Sequence, residues 1–132
     1  VSDARVLFSG VSRGGVVAQM QAGDQPEDTA GVINFVGGWM DESPGDPEIN
    51  PTLFRRIEGY EGTVLSIYGE DDTFYSIDHS RANLAQLEEV GATSEFHVVT
   101  VPEFNRGHWV LWWPVLWEET VEEYLGRVES RR

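Results

Sequence analysis

Read for the spacing of its apolar and polar positions, the chain divides into short apolar runs separated by amphipathic stretches and turn residues. Val6-Leu7-Phe8 is an apolar run of the kind buried in a parallel sheet, Gly10 to Gly15 (GVSRGG) breaks it, and Val16 to Ala22 reads as a helix closed by Gly23. Gly31 to Val36 is a second strand, emptying into Gly37-Gly38-Trp39 and an acidic, Pro-rich loop from Asp41 to Pro51. Asn50 is placed to cap a short helix that starts at Pro51 and runs to Ile57. Thr63 to Tyr68 predicts a third strand, ending in Gly69-Glu70-Asp71-Asp72. The helix after it is capped by Ser76, carries Leu84 and Leu87 on its inner face and stops at Gly91. Glu95 to Val101 is a fourth strand. The last helix is predicted from about Trp113, with Trp117, Val121, Tyr124, Leu125 and Val128 at helical spacing.

Four strands alternating with four helices predict one α/β domain over residues 1–132, its sheet mostly parallel and covered by helices on both faces. If the strands follow one another in spatial order with right-handed crossovers, the three connecting helices share a face and the last helix is left for the other. Four of the five Trp (Trp109, Trp112, Trp113, Trp117) lie on that helix and its approach, and this spacing reads as core packing.

Charge narrows the partners. The chain has 23 acidic residues against nine basic ones, all of them Arg, for a formal charge of −14. Such a surface repels phosphates and anionic lipid, so neither nucleic acid nor a membrane is expected as a partner. The excess acid reads either as solubility through self-repulsion or as a halophilic adaptation to high salt. No apolar stretch approaches transmembrane length and no basic segment precedes one, so a cytoplasmic location is expected, while the start at Val1 leaves processing open. There is no Cys for disulfide or thiolate chemistry. No residues have metal-ligand spacing, and Gly10 to Gly15 lacks the Lys of a P-loop, so no metal or cofactor is expected.

The candidate chemistry lies at the strand ends. Ser12, Asp72 and His108 each follow the carboxyl end of a predicted strand, and in a parallel sheet those ends share one edge, where open α/β folds place their sites. Acyl transfer requires a serine activated by a neutral imidazole, and a carboxylate that orients the imidazole. The chain order Ser, Asp, His is the one that accompanies a serine on a G-x-S-x-G strand-to-helix turn. Asp71 is the rival acid. His79, in the first turn of a helix, and His97, within a strand, read as structural. Trp39, Phe74, Tyr75 and Trp109 flank the same edge and are candidates for a substrate pocket, with core packing as the competing reading.

GVSRGG at Gly10 to Gly15, VINFVGGW at Val32 to Trp39, SIYGEDDTFY at Ser66 to Tyr75 and the Gly107-His108 pair together resemble the α/β-hydrolase superfamily. The likeness is nearest to the C-terminal half of its dienelactone-hydrolase-related serine esterases. It implies a truncated α/β-hydrolase fold with Ser12 as nucleophile, Asp72 as acid, His108 as general base and the Arg13 N–H as an oxyanion donor. The dienelactone hydrolases proper carry Cys where this chain has Ser12, so their particular substrate is not implied. The sequence opens at what resembles the family's fifth strand, without the earlier strands or the loop that gives the second oxyanion donor. The Gly37-Gly38 loop or a partner chain is expected to supply it. The first strand would then be a sheet edge, which predicts pairing with another chain and a homodimer. The implied function is a serine carboxylesterase for a small ester substrate. The alternative is a catalytically incomplete half-domain that serves as an assembly module.

Overall fold

The structure, a computed structural model, describes residues 4–41 and 47–131, so residues 42–46 of the acidic loop lie outside the described residues. The chain runs β1 (Val6–Val11), α1 (Arg13–Asp24), β2 (Thr29–Phe35), α2 (Ile49–Phe54) with a 3-10 turn at Arg55–Ile57, β3 (Thr63–Gly69), α3 (Ile77–Glu89) and β4 (Thr93–Val99). Two further 3-10 turns, Gly107–Trp112 and Pro114–Leu116, lead into α4 (Glu118–Ser130). The four strands form one parallel sheet in the order β1-β2-β3-β4. All the strands therefore end on the same edge, and β1 is an outer strand.

The alternation of side chains across the sheet assigns its two faces. Even-numbered positions meet the connecting helices: Asn34 of β2 lies against Gly15 of α1, and Phe96 of β4 lies under the Arg81 guanidinium of α3 at 4.8 Å. Odd-numbered positions meet the C-terminal segment. Phe35 takes the Trp117 ring edge-on at 5.0 Å, and Glu95 accepts two hydrogen bonds from Arg127 of α4 at 2.9 and 2.6 Å. Burial raises the Glu95 pKa, but the His97 and Arg127 hydrogen bonds outweigh it and hold the carboxyl below its ordinary value.

Tyr124 fastens α4 to this second face. Its hydroxyl accepts the Val32 N–H at 2.8 Å and donates to the Thr63 carbonyl at 2.6 Å, at the end of the sheet where the pairing of β2 with β3 begins. One phenol thus satisfies a donor and an acceptor of two neighbouring strands, and it is only 1% exposed.

Several elements differ from the sequence expectation. α1 begins at Arg13, not Val16, and continues past Gly23, which lies against the Arg56 carbonyl instead of ending the helix. Asn50 does not cap α2 but sits inside its first turn. Its buried side chain accepts the Trp39 and Met40 N–H groups at 2.9 and 3.0 Å and donates to the Met40 carbonyl at 2.7 Å. That loop offers three backbone groups, where a cap offers one or two. β4 spans Thr93–Val99, not Glu95 to Val101. α4 starts at Glu118 and not near Trp113, because Pro114 forces the residue before it out of helical geometry (Trp113 φ −119°, ψ 71°). The Trp cluster accordingly divides. Trp113 and Trp117 pack on the core, while Trp109 and Trp112 are 43% and 75% exposed.

Tyr124→Phe keeps the ring but leaves the Val32 N–H and the Thr63 carbonyl without this partner. Unfolding in urea is expected to show a loss of about 1–3 kcal/mol. An unchanged midpoint and slope would mean that the hydroxyl does not hold α4 to the sheet.

Candidate active site

The site begins where β1 turns into α1. Ser12 has φ 56° and ψ −122°, a left-handed conformation that an L-residue adopts at a cost of about 1–3 kcal/mol. Three backbone hydrogen bonds hold it there. Its N–H donates to the Phe35 carbonyl at 2.9 Å, and its carbonyl accepts from Gly15 N–H at 3.0 Å and Gly38 N–H at 3.3 Å. Gly10 makes the turn possible, since a Cβ there would lie 2.0 Å from the Gly14 carbonyl oxygen. Gly14 itself has open space at the Cβ position. The sequence motif weights these two glycines equally; the packing requires only the first.

Ser12 occupies the N-cap position of α1, yet its hydroxyl does not cap the helix. Ser12 Oγ lies 3.1 Å from His108 Nε2, and His108 Nδ1 lies 2.9 Å from Asp72 Oδ2. The other Asp72 oxygen accepts the Phe74 and Tyr75 N–H groups at 2.7 and 3.0 Å. The Asp72 side chain is fully buried, and that of His108 is 11% exposed. Gly107 brings the two loops together, because a Cβ at that position would fall 2.4 Å from the Asp72 nitrogen. Its N–H donates to the Asp71 carbonyl at 3.2 Å, while Asp71 itself is exposed. The structure therefore places Asp72, and not Asp71, beside His108.

The other two histidines stand apart from this series. His79 Nε2 meets the Asn50 side-chain amide at 3.0 Å, and His97 pairs with Glu95 at 3.1 Å. Arg13 is the first residue of α1, so its N–H belongs to the group without an intrahelical acceptor. Its side chain donates to the Trp39 carbonyl at 3.1 Å and lies over the Trp39 ring. The Gly38 N–H, expected as a possible oxyanion donor, is engaged with the Ser12 carbonyl.

Behind the turn lies a buried polar cluster. Asn34 donates to Ser66 Oγ at 3.2 Å and to the Tyr68 hydroxyl at 3.1 Å, and Tyr68 donates to the Gly37 carbonyl at 2.8 Å. Burial pushes the Tyr68 hydroxyl far above its ordinary pKa, so it remains a donor. The cluster anchors the loop after β2, on which Gly38 is carried.

A cavity of about 700 Å³ opens over Ser12 and His108. Trp39, Phe74, Tyr75 and Trp109 all line it, as do Val11, Met40, Leu111 and Trp112, which the sequence reading did not select. Leu111 and Trp112 follow His108 closely in the chain, past a kink at Trp109, so their sequence signal was proximity to His108. Among the described residues, no group of three or more His, Cys, Asp or Glu residues is arranged to hold a metal ion. No helix among them is long and apolar enough to cross a membrane.

No protein-family model matches the chain, and no curated protein matches it by sequence. Solved structures do match it. The esterase Pf2001 of Pyrococcus furiosus superposes with a TM-score of 0.66 at 15% identity, over 93% of this chain and 53% of its own. A thermostable esterase gives 0.63 at 20% identity, over 96% of this chain and 32% of its own. Est1E of Butyrivibrio proteoclasticus, solved with ferulic acid bound, gives 0.65 at 15% identity, over 98% and 61%. The chain thus has the fold of α/β-hydrolase esterases, and it spans between 32% and 61% of the length of these three.

The contrast between two glycines gives a direct check. Gly10→Ala is expected to lower the melting temperature and displace Ser12, because the Gly14 carbonyl cannot move without unwinding α1. Gly14→Ala is expected to be tolerated. Equal melting temperatures for the two variants would show that the turn is not limited by that close approach.

Proposed function

We propose that this protein is a serine carboxylesterase that hydrolyses small acyl esters through Ser12, His108 and Asp72 and an acyl-enzyme intermediate. The observation that carries this reading is the unbroken series Ser12 Oγ, His108 Nε2, His108 Nδ1, Asp72 Oδ2, opening onto an apolar cavity. With the Nδ1 proton donated to Asp72, Nε2 is left as an acceptor for the Ser12 proton. Ser12 Oγ then attacks the carbonyl carbon, and the Arg13 N–H at the start of α1 faces the charge that develops on oxygen. His108 returns the proton to the departing alcohol. Water, activated by the same imidazole, releases the acid. Trp39, Phe74, Tyr75 and Trp109 supply apolar walls for the acyl group.

A second reading, a non-catalytic assembly module, has its own observation. β1 is an outer strand with Val6 half exposed, and such an edge invites pairing with a second copy of the chain. On that reading light scattering gives the mass of a dimer and ester hydrolysis is absent. A chain that turns over esters removes the module as a sufficient account.

Ser12→Ala is expected to reduce p-nitrophenyl acetate hydrolysis to the uncatalysed rate while leaving the fold intact, and His108→Ala to match it, since triad members act as a unit. Asp72→Asn is expected to lose far more activity than Asp71→Asn. Turnover retained in Ser12→Ala would contradict the assignment.

A further inference from the structure

Among the polar side chains that line the cavity over Ser12, the Tyr75 hydroxyl takes no part in the proton series. Tyr75 is held by several neighbours. Its N–H donates to Asp72 Oδ1 at 3.0 Å. Its ring lies on Gly38, where a Cβ would come within 2.4 Å of the ring Cζ, so only glycine fits beneath it. On another side it stacks on the His79 ring, with centroids 6.1 Å apart and planes 15° from parallel, and His79 is held by Asn50. The residue is only 4% exposed, yet it lines the cavity over Ser12. Its hydroxyl interacts with the Ser12 side chain, and its ring centroid lies 5.5 Å from that of His108. Burial raises its pKa above the ordinary tyrosine value, so the proton stays on oxygen at neutral pH.

An oxyanion ordinarily takes two donors, and the Gly38 N–H is already engaged with the Ser12 carbonyl. We propose that the Tyr75 hydroxyl is the second oxyanion donor of this site, acting beside the Arg13 N–H. The proposal rests on the serine-esterase reading and adds to it a residue that the G-x-S-x-G, Asp and His pattern does not contain. As the bond from Ser12 Oγ to the carbonyl carbon forms, His108 Nε2 takes the Ser12 proton and the carbonyl π pair moves onto oxygen. Tyr75 O–H and Arg13 N–H then share hydrogens with that oxygen without transferring them. When the intermediate collapses, the pair returns to the carbonyl, the C–O bond to the alcohol breaks, and His108 gives the alcohol its proton. Because the Tyr75 backbone is bound to Asp72 and its ring to Gly38, the hydroxyl keeps its place through the reaction. A donor fixed in this way strengthens as charge develops and has no reorganisation to undergo.

The test compares wild type with Tyr75→Phe on p-nitrophenyl acetate and on the matching thionoester. Phenylalanine keeps the ring on Gly38 and His79, and an unchanged melting temperature verifies that it does. The expected result is a fall in kcat of about 10²–10³, typical of losing one oxyanion donor, with KM little changed. Sulfur is a weak hydrogen-bond acceptor, so the preference for the oxygen ester over the thionoester is expected to narrow in the variant. Unchanged kcat would overturn the proposal. So would equal losses on both esters, which would make Tyr75 a residue that only holds Ser12 in position. A wild-type protein with no turnover would overturn the esterase reading and this role with it. An active wild type with an unaltered ester preference in Tyr75→Phe overturns the role of Tyr75 alone.

Discussion

The backbone of Ser12 is the constraint on which the rest of the site depends. A left-handed serine between a strand and a helix is unfavourable by itself, and it persists because the surrounding chain determines it from three directions. Phe35 at the end of β2 accepts its N–H, while Gly15 of α1 and Gly38 of the loop after β2 both donate to its carbonyl. With the backbone fixed in this way, the hydroxyl is turned away from the helix end that a serine at this position ordinarily caps, and towards His108. Local strain thereby turns a serine hydroxyl towards an imidazole and a cavity.

The strand order supplies the remaining geometry. Because β1, β2 and β3 are consecutive and parallel, Ser12, Gly38 and Asp72 all emerge on one edge of the sheet. His108 arrives there after β4, on a loop pressed against the Asp72 turn at Gly107. Asp72 then has both oxygens engaged, one with His108 and one with the N–H groups of Phe74 and Tyr75. The same carboxylate thus orients the imidazole and anchors the aromatic wall of the cavity. On the proposed esterase reading, a substitution at Asp72 disturbs binding as well as proton transfer, unlike one at Asp71, whose contribution is a backbone carbonyl.

Much of this was legible in the sequence, for identifiable reasons. Apolar runs bounded by turn residues located the four strands, and their alternation with helices gave a parallel sheet whose strands end on one edge. The spacing of Ser12, Asp72 and His108 from the strand ends was enough to bring them together. What the sequence hid was contact between distant segments. Asn50 looked like a helix cap, since nothing in its neighbours reveals Trp39 and Met40 across the loop. Pro114 was visible, yet the Trp periodicity outweighed it and the last helix was placed too early. The Trp residues could not be divided between core and cavity by spacing, because Trp109 and Trp112 lie on a 3-10 turn, where helical periodicity does not apply. The sequence leaves Tyr75 between pocket wall and core, because nothing in its neighbours reveals that its ring lies on Gly38 and its hydroxyl beside Ser12.

The central claim is that Ser12 is a nucleophile made reactive by His108. Incubation of the purified protein with a fluorophosphonate, followed by peptide mass analysis, tests it most directly. The account predicts a single adduct on Ser12 that is absent or strongly slowed in His108→Ala, since the reagent requires an activated serine. No adduct in the folded wild-type protein, or an adduct on another residue with Ser12 unmodified, would contradict it.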